Sequence, residues 1–186
     1  MMYRTLRIAL IAAAVAFAGS ADAAKKKPAA EPAPAAQGKA GQPTPIGQFG
    51  DWSAFQVGNA KGRSCFTISS PKERKPDKLE RDPATIFVTR RPGEGVHNEI
   101  SMIVGFPMKE GGNATIKIGK SSFSLYTKEA NAWVKNAAEE GTVIAAMRKG
   151  SNLVFDGVSK RGNKTSDRYS LSGLPQALDS ISKACP

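Results

Sequence analysis

From residue 48 onward the sequence predicts an all-β, mainly antiparallel domain. The expected architecture is a β-sandwich or partly open barrel of about eight strands with one or two short covering helices, the last at the C-terminus. Three observations predict it. Apolar and polar residues alternate with a period of two over most of the stretch. Turn-forming Gly, Pro and Asn residues separate the alternating runs. Only two segments carry the wider apolar spacing of an amphipathic helix.

The strands read in order as Trp52–Val57, Cys65–Ser69, Thr85–Arg90, Asn98–Val104, Ala114–Ile118, Ser121–Thr127, Leu153–Ser159 and Ser166–Leu171. Pro92-Gly93-Glu94-Gly95 separates the third and fourth as a hairpin loop would. Gly111-Gly112-Asn113 is a further turn, and Gly119-Lys120 is a Gly-X pair suited to a two-residue II′ hairpin. Arg161-Gly162-Asn163-Lys164 forms the expected tip of the last hairpin. Asp156-Gly157 fits either a turn or a bulge inside a strand. The first helix is expected to begin at Asn136, whose spacing from Glu139 is that of a capping box. Val143, Ile144 and Met147 form its apolar face, and Gly150 stops it. The second runs from about Leu174 to Cys185, with Pro175 in its first turn and Asp179 spaced to pair with Lys183.

The N-terminus reads as an export signal. Arg4 and Arg7 precede an unbroken apolar run of 11 residues, Ile8 to Ala18, and Ala21-Asp22-Ala23 gives an A-x-A cleavage pattern between Ala23 and Ala24. The run falls short of the roughly 18–20 residues that cross a bilayer, so no transmembrane helix is expected in the mature protein. Residues 24–47 carry five prolines and no aromatic residue, a composition that predicts a disordered Ala/Pro/Lys-rich linker. The domain organisation is then 1–23 signal peptide, 24–47 linker and 48–186 β-rich domain.

Composition narrows the function classes. Lys and Arg total 27 against 16 Asp and Glu, for a net charge of +11, and there is one histidine and there are two cysteines. A multi-His metal centre, a zinc ribbon and a Cys-ligated iron–sulfur cluster are excluded, and no cofactor is implied. In an oxidising compartment Cys65 and Cys185 read as a disulfide, 120 positions apart, and loop-closure entropy assigns such a bridge about 4–5 kcal/mol. Cleavage removes two arginines and one aspartate, so the mature chain stays strongly basic and suits anionic partners in a salt-dependent way.

Enzymatic signatures are sparse. His97 and Glu99 fall on one face of a strand, which fits an acid–base pair or simply an exposed strand pair. No G-x-S-x-G or P-loop is present. S-x-x-K occurs at Ser69–Lys72 and Ser180–Lys183 without the K-T-G partner that penicillin-binding folds require. The densest charged tract, Pro71–Pro83, reads as a long surface loop presenting Lys72, Arg74, Lys75, Lys78 and Arg81, with Arg90 and Arg91 ending the strand that follows. These seven side chains are the expected partner-binding set. No aromatic residue interleaves with them, which disfavours nucleic acid.

Several stretches resemble a known family. Phe49-Gly50-Asp51-Trp52 opens the domain, and Ala145-Ala146-Met147-Arg148-Lys149-Gly150 precedes a strand. The run from Ser159-Lys160-Arg161-Gly162-Asn163 through Arg168-Tyr169-Ser170-Leu171-Ser172-Gly173-Leu174 follows, with Ala177-Leu178 and Cys185 after it. In this order, behind an export signal, they resemble the invasion-associated locus B family of exported alphaproteobacterial proteins over residues 48–186. Fuller members carry further cysteines, one soon after the opening Trp, whereas here Ala54, Phe55 and Gln56 follow Trp52. The resemblance implies a periplasmic, surface or secreted β-rich domain with no catalytic residues to carry over. It further implies a non-enzymatic protein that promotes host-cell interaction through an unidentified protein or an anionic envelope or host-surface partner. The alternative is a periplasmic envelope-maintenance or assembly factor with no host role.

Overall fold

The structure of the chain, a computed structural model, describes residues 41–59 and 62–186. The expected signal peptide, the Ala23–Ala24 cleavage site and most of the linker lie outside these residues. Eleven strands form one antiparallel sheet. They are β1 (Thr44–Phe49), β2 (Trp52–Val57), β3 (Ser64–Ser69), β4 (Glu73–Lys75), β5 (Thr85–Arg91) and β6 (Val96–Ile103). The rest are β7 (Ala114–Ile118), β8 (Ser121–Lys128), β9 (Asn131–Val134), β10 (Asn152–Val158) and β11 (Lys164–Ser170). Helix α1 spans Glu140–Lys149 and helix α2 spans Leu174–Ala184. Neighbouring strands run β1-β2-β3-β5-β6-β9-β8-β7-β10-β11-β4, an order that leaves β1 and β4 at the two ends. The expected all-β class therefore holds, as an open, curled sheet with two short helices.

All eight expected strands are present, and three further ones, β1, β4 and β9, join them. Strand β1 corrects the linker boundary. Thr44 to Gly47 pair with β2 across a register shift between Pro45 and Gly47, and Ile46 packs against the core. Pro is tolerated there because β1 lies at a sheet end. Strand β4 falls inside the charged tract and pairs with Ser166–Arg168 of β11, so the tract is not the simple surface loop its composition suggests. Strand β9 pairs with both β6 and β8.

The turns follow their residue chemistry. Gly119 has φ +58, the positive value that the first position of a II′ hairpin turn demands. Asp156-Gly157 stays within β10 in unbroken register with β11. Asn136 does cap, its side chain accepting from the Ala138 N–H at 3.1 Å, but it opens a 3₁₀ turn, Ala137–Glu139, that leads into α1. The expected Asp179–Lys183 pair is replaced by one across the helices, from Arg148 to Asp179 at 2.8 Å.

The core is the sheet's inner face, lined by Trp52, Ile86, Val88, Ile100, Met102, Ile116, Phe155 and Tyr169, with Leu174, Ala177, Leu178 and Ile181 of α2 laid on it. Cys65 on β3 is bonded to Cys185 at the end of α2, with Cα atoms 6.0 Å apart. The sheet curls until its first and last thirds touch. The Trp52 indole N–H donates to the Ser170 carbonyl at 3.0 Å, and the Asp51 N–H donates to Ser172 O at 3.1 Å. Gly173 makes this approach possible: its φ is +88, and a Cβ there would sit 1.9 Å from Phe49 O.

Candidate functional site

The period-two alternation of β11 turns Thr165, Asp167 and Tyr169 inward. A carboxylate in that position requires cations, because an unpaired buried charge is strongly destabilising. The charged tract supplies them. Arg74 Nε donates to Asp167 Oδ2 at 3.0 Å, and Arg81 donates to Oδ1 at 2.8 Å. Only 1% of the Asp167 side chain and 3% of Arg81 is exposed. Arg74 also donates to the carbonyls of Asp82, at 2.7 Å, and Val104, at 2.9 Å. The Arg81 Nε and the neighbouring Tyr169 hydroxyl are buried without a hydrogen-bond partner, and burial pushes the Tyr169 ionisation well above its usual range. Two guanidiniums share one carboxylate here, so the cluster keeps a net positive charge.

The remaining expected binding residues are mostly engaged as well. Lys72 pairs with Asp51 at 2.5 Å, and its ammonium holds the Asp51 carboxyl below the usual carboxylate range. Lys75 pairs with Glu73 at 2.9 Å, and Glu73 also takes Arg168. Those two cations lower the Glu73 pKa, chiefly through Lys75, while Glu73 raises that of Lys75. Arg90 donates to the Cys185 carbonyl at 3.0 Å, which ties β5 to the disulfide. Arg91 is shared between Glu99, at 3.0 Å, and Glu94, at 2.8 Å, and both raise its pKa, Glu99 first. Glu99 is thus committed to Arg91, while His97 points from the same strand into solvent. Of the seven expected residues only Lys78 is exposed and makes no ion pair.

A cleft of about 480 Å³ opens beside the arginine cluster. One wall is Leu79–Asp82, a second is the turn Gly105–Pro107, and the third is the β10–β11 hairpin from Ser159 to Asn163. The hairpin is rigidly built. Ser159 N–H donates to Asn163 O at 2.9 Å, Gly162 N–H to Ser159 O at 2.8 Å, and Lys160 N–H to Pro107 O at 2.8 Å. Leu79, Phe106 and Pro107 give apolar wall, while the exposed Lys160 and Arg161 stand on the rim without ion pairs. Glu80 and Asp82 bring acidic groups to the opposite wall. Apolar walls with a few convergent charges are the usual make-up of a ligand-binding cleft, and the volume falls in the usual range. Lys160 and Arg161 are absent from the expected binding set. Their signal was present, a basic pair at a Gly-Asn hairpin tip, but the denser tract at 71–83 outweighed it. Among the described residues no group of three His, Cys, Asp or Glu side chains could hold a metal ion, and no helix is long and apolar enough to cross a membrane.

The family model described as "Invasion associated locus B (IalB) protein" matches residues 52–182. The chain belongs to the invasion associated locus B family. That match spans β2 to β11, the arginine cluster, the cleft and nearly all of α2. Among solved structures, the crystal structure of invasion associated protein B from Bartonella henselae is similar at a TM-score of 0.55. With 13% sequence identity, that likeness covers 74% of this chain and 96% of the other and speaks to the fold alone. No curated protein matches the sequence.

Proposed function

We propose that this member of the invasion associated locus B family is an exported, non-enzymatic binding protein, working in the periplasm or at the outer surface and promoting contact with host cells. Its partner is a protein or an anionic envelope or host-surface molecule. The observation that carries this reading is the distribution of free positive charge. Most basic side chains of the 71–91 region are bonded within the fold, whereas Lys78, Lys160 and Arg161 stay unpaired at or beside a cleft of ligand-binding size. Free cations on a rigid hairpin attract anionic groups without first breaking an internal ion pair. Family membership supports the host-contact part, since the family takes its name from invasion.

The test is retention of the exported protein by two preparations across a salt series: the producing bacterium's own envelope and host-type cell membrane. Saturable binding to host membrane at physiological salt, lost on Lys160→Glu/Arg161→Glu reversal, supports the reading. Retention by the bacterial envelope alone assigns the protein to envelope maintenance and overturns host contact. Binding untouched by the reversal overturns the cleft rim as the contact.

A further inference from the structure

On the outer side of the sheet, strands β7, β8 and β9 bring a second set of polar and aromatic groups together, and it shares no lining residue with the basic cleft. Alternation turns Ser124, Tyr126 and Lys128 of β8 outward, because Leu125 and Thr127 between them are buried. Directly opposed residues share a face. Thr115 of β7 therefore stands beside Ser124, and Trp133 of β9 beside Tyr126, with ring centroids 6.2 Å apart. Lys135 follows two residues after Trp133, and its N–H donates to the Ser124 carbonyl at 3.0 Å, which extends the outward row past the end of β9. The turn before β7 raises a wall at the edge of this row. Gly112 N–H donates to Lys109 O at 3.0 Å, and Ala114 N–H donates to Gly112 O at 3.1 Å. Turn and strands enclose a hollow of about 380 Å³, whose lining includes Asn113, Thr115, Ser124, Tyr126 and Lys135.

Three kinds of group converge there. The Tyr126 side chain is 54% exposed and offers an apolar ring surface. Asn113, Thr115 and Ser124 offer an amide and two hydroxyls that bond to no other side chain or backbone group among the described residues. Lys128 and Lys135 are exposed and close no ion pair among those residues. The carboxylates of the same face, Glu99 and Asp156, are held by Arg91 and Lys117 and leave the two lysines uncompensated. An anionic occupant is favoured, and a second copy of this chain would set lysine against lysine. A lipid surface would strip water from the amide and hydroxyls and return no hydrogen bonds to them. A sugar acid meets all three demands. The C–H face of its ring lies flat on an aromatic ring, its hydroxyls exchange hydrogen bonds with Asn, Thr and Ser, and its carboxylate reaches a lysine. The volume lies in the usual range for a small-ligand site. Because the sheet curls away from this side, the hollow receives a single sugar unit and not the length of a polymer.

We propose that the hollow on β7, β8 and β9 binds an acidic sugar unit, a pyranose bearing a carboxylate, with its ring on Tyr126 and its acid group at Lys135. The test titrates the exported protein with galacturonate, for a bacterial polysaccharide source, and with N-acetylneuraminate, for a host glycan, using galactose as the neutral control. Trp52 is buried in the core and Trp133 lies beside Tyr126, so an emission change that Trp133→Phe abolishes reports the hollow. Saturation-transfer NMR of the sugar protons follows the same titration without a tryptophan. Saturable millimolar binding of at least one acid is expected, with galactose about tenfold or more weaker. Tyr126→Ala should weaken the acid about tenfold or more, and Lys135→Gln should remove its advantage over galactose, while both variants keep the parent's thermal midpoint. Lys160→Glu with Arg161→Glu should change nothing here. No saturation by either acid up to about 50 mM overturns the proposal. Binding indifferent to Tyr126→Ala and Lys135→Gln, or galactose bound as well as the acids, overturns it also. Loss on the Lys160 and Arg161 reversal puts the sugar in the cleft instead. An emission change with phosphatidylglycerol vesicles and with neither acid gives the face to a lipid surface, and each of these two results rejects the hollow as a sugar site.

Discussion

The tract at 71–83 and the hairpin tip at 159–164 are both basic, both bounded by turn residues and both next to the same cleft, yet their charges meet opposite fates. In the tract, Arg74 and Arg81 turn inward onto Asp167, and Lys72 and Lys75 close ion pairs with Asp51 and Glu73. In the hairpin, Lys160, Arg161 and Lys164 stay exposed with no carboxylate partner. The difference arises from strand pairing. Strand β4 lies against β11 in a register that opposes Arg74 to Asp167 itself, so the tract's charge completes the interior. The hairpin's outermost residues have no strand beyond them. Charge density along a sequence therefore measures solvation demand, and only pairing decides which charges remain free to bind.

Breaking the buried cluster is the largest effect expected. Asp167→Ala leaves two guanidiniums facing each other in the interior and should cost about 3–5 kcal/mol, read by urea or thermal unfolding. Replacing Arg74, Arg81 and Asp167 together by apolar residues of similar volume should cost far less, since no charge is left stranded. If the triple variant is as unstable as Asp167→Ala, the arginines matter for more than that carboxylate. Reducing the Cys65–Cys185 bond, or replacing both cysteines by serine, should cost up to the about 4–5 kcal/mol that closure of so long a loop assigns to it, and serves as a yardstick on the same unfolding curve.

The hairpin should behave in the reverse sense. Lys160→Glu with Arg161→Glu is expected to leave stability within about 0.5 kcal/mol while removing salt-sensitive partner binding. Arg74→Glu, in contrast, should fail to fold well enough to be assayed for binding at all. The smallest effect concerns Glu140, a half-buried carboxylate with no cation. Desolvation raises its pKa above 4.5, outweighing the Ile100 backbone N–H that it accepts from, and the Glu99 charge adds to the rise. A carboxyl with a raised folded-state pKa favours the fold when protonated, and that contribution is lost as pH climbs through the folded value. Glu140→Gln should therefore be slightly more stable than the parent at neutral pH, by about 0.5 kcal/mol or less, and indistinguishable from it well below pH 4.5.

Much of the fold was readable because the information is local. Alternation placed Ala114–Ile118 and Trp52–Val57 to the residue, and one glycine announced the turn at 119. The three unforeseen strands escaped for local reasons too: β1 holds a Pro and a Gly, β4 is three charged residues, and β9 is four residues long. The site was harder because its contacts are remote. Arg81 and Arg74 reach Asp167 from 86 and 93 positions away. Asp167 drew no attention in the sequence, because a single carboxylate in a polar strand gives no local sign that it is buried or which cation it will meet. Asp179 failed as a local pair for the same reason: Arg148, 31 positions away, was better placed.

The stitching of the two ends of the sheet also sets a timetable. Trp52 bonds to Ser170, Asp51 to Ser172, β4 to β11 and Cys65 to Cys185, so strands near the start are finished only by residues from the last two dozen or so. Contacts this distant slow folding, because a long loop must close before they stabilise anything. While the C-terminus is still being synthesised, the β4 edge has no partner strand and the core lacks the cover of α2. Such a chain is held pliable by its own topology until its last residues arrive.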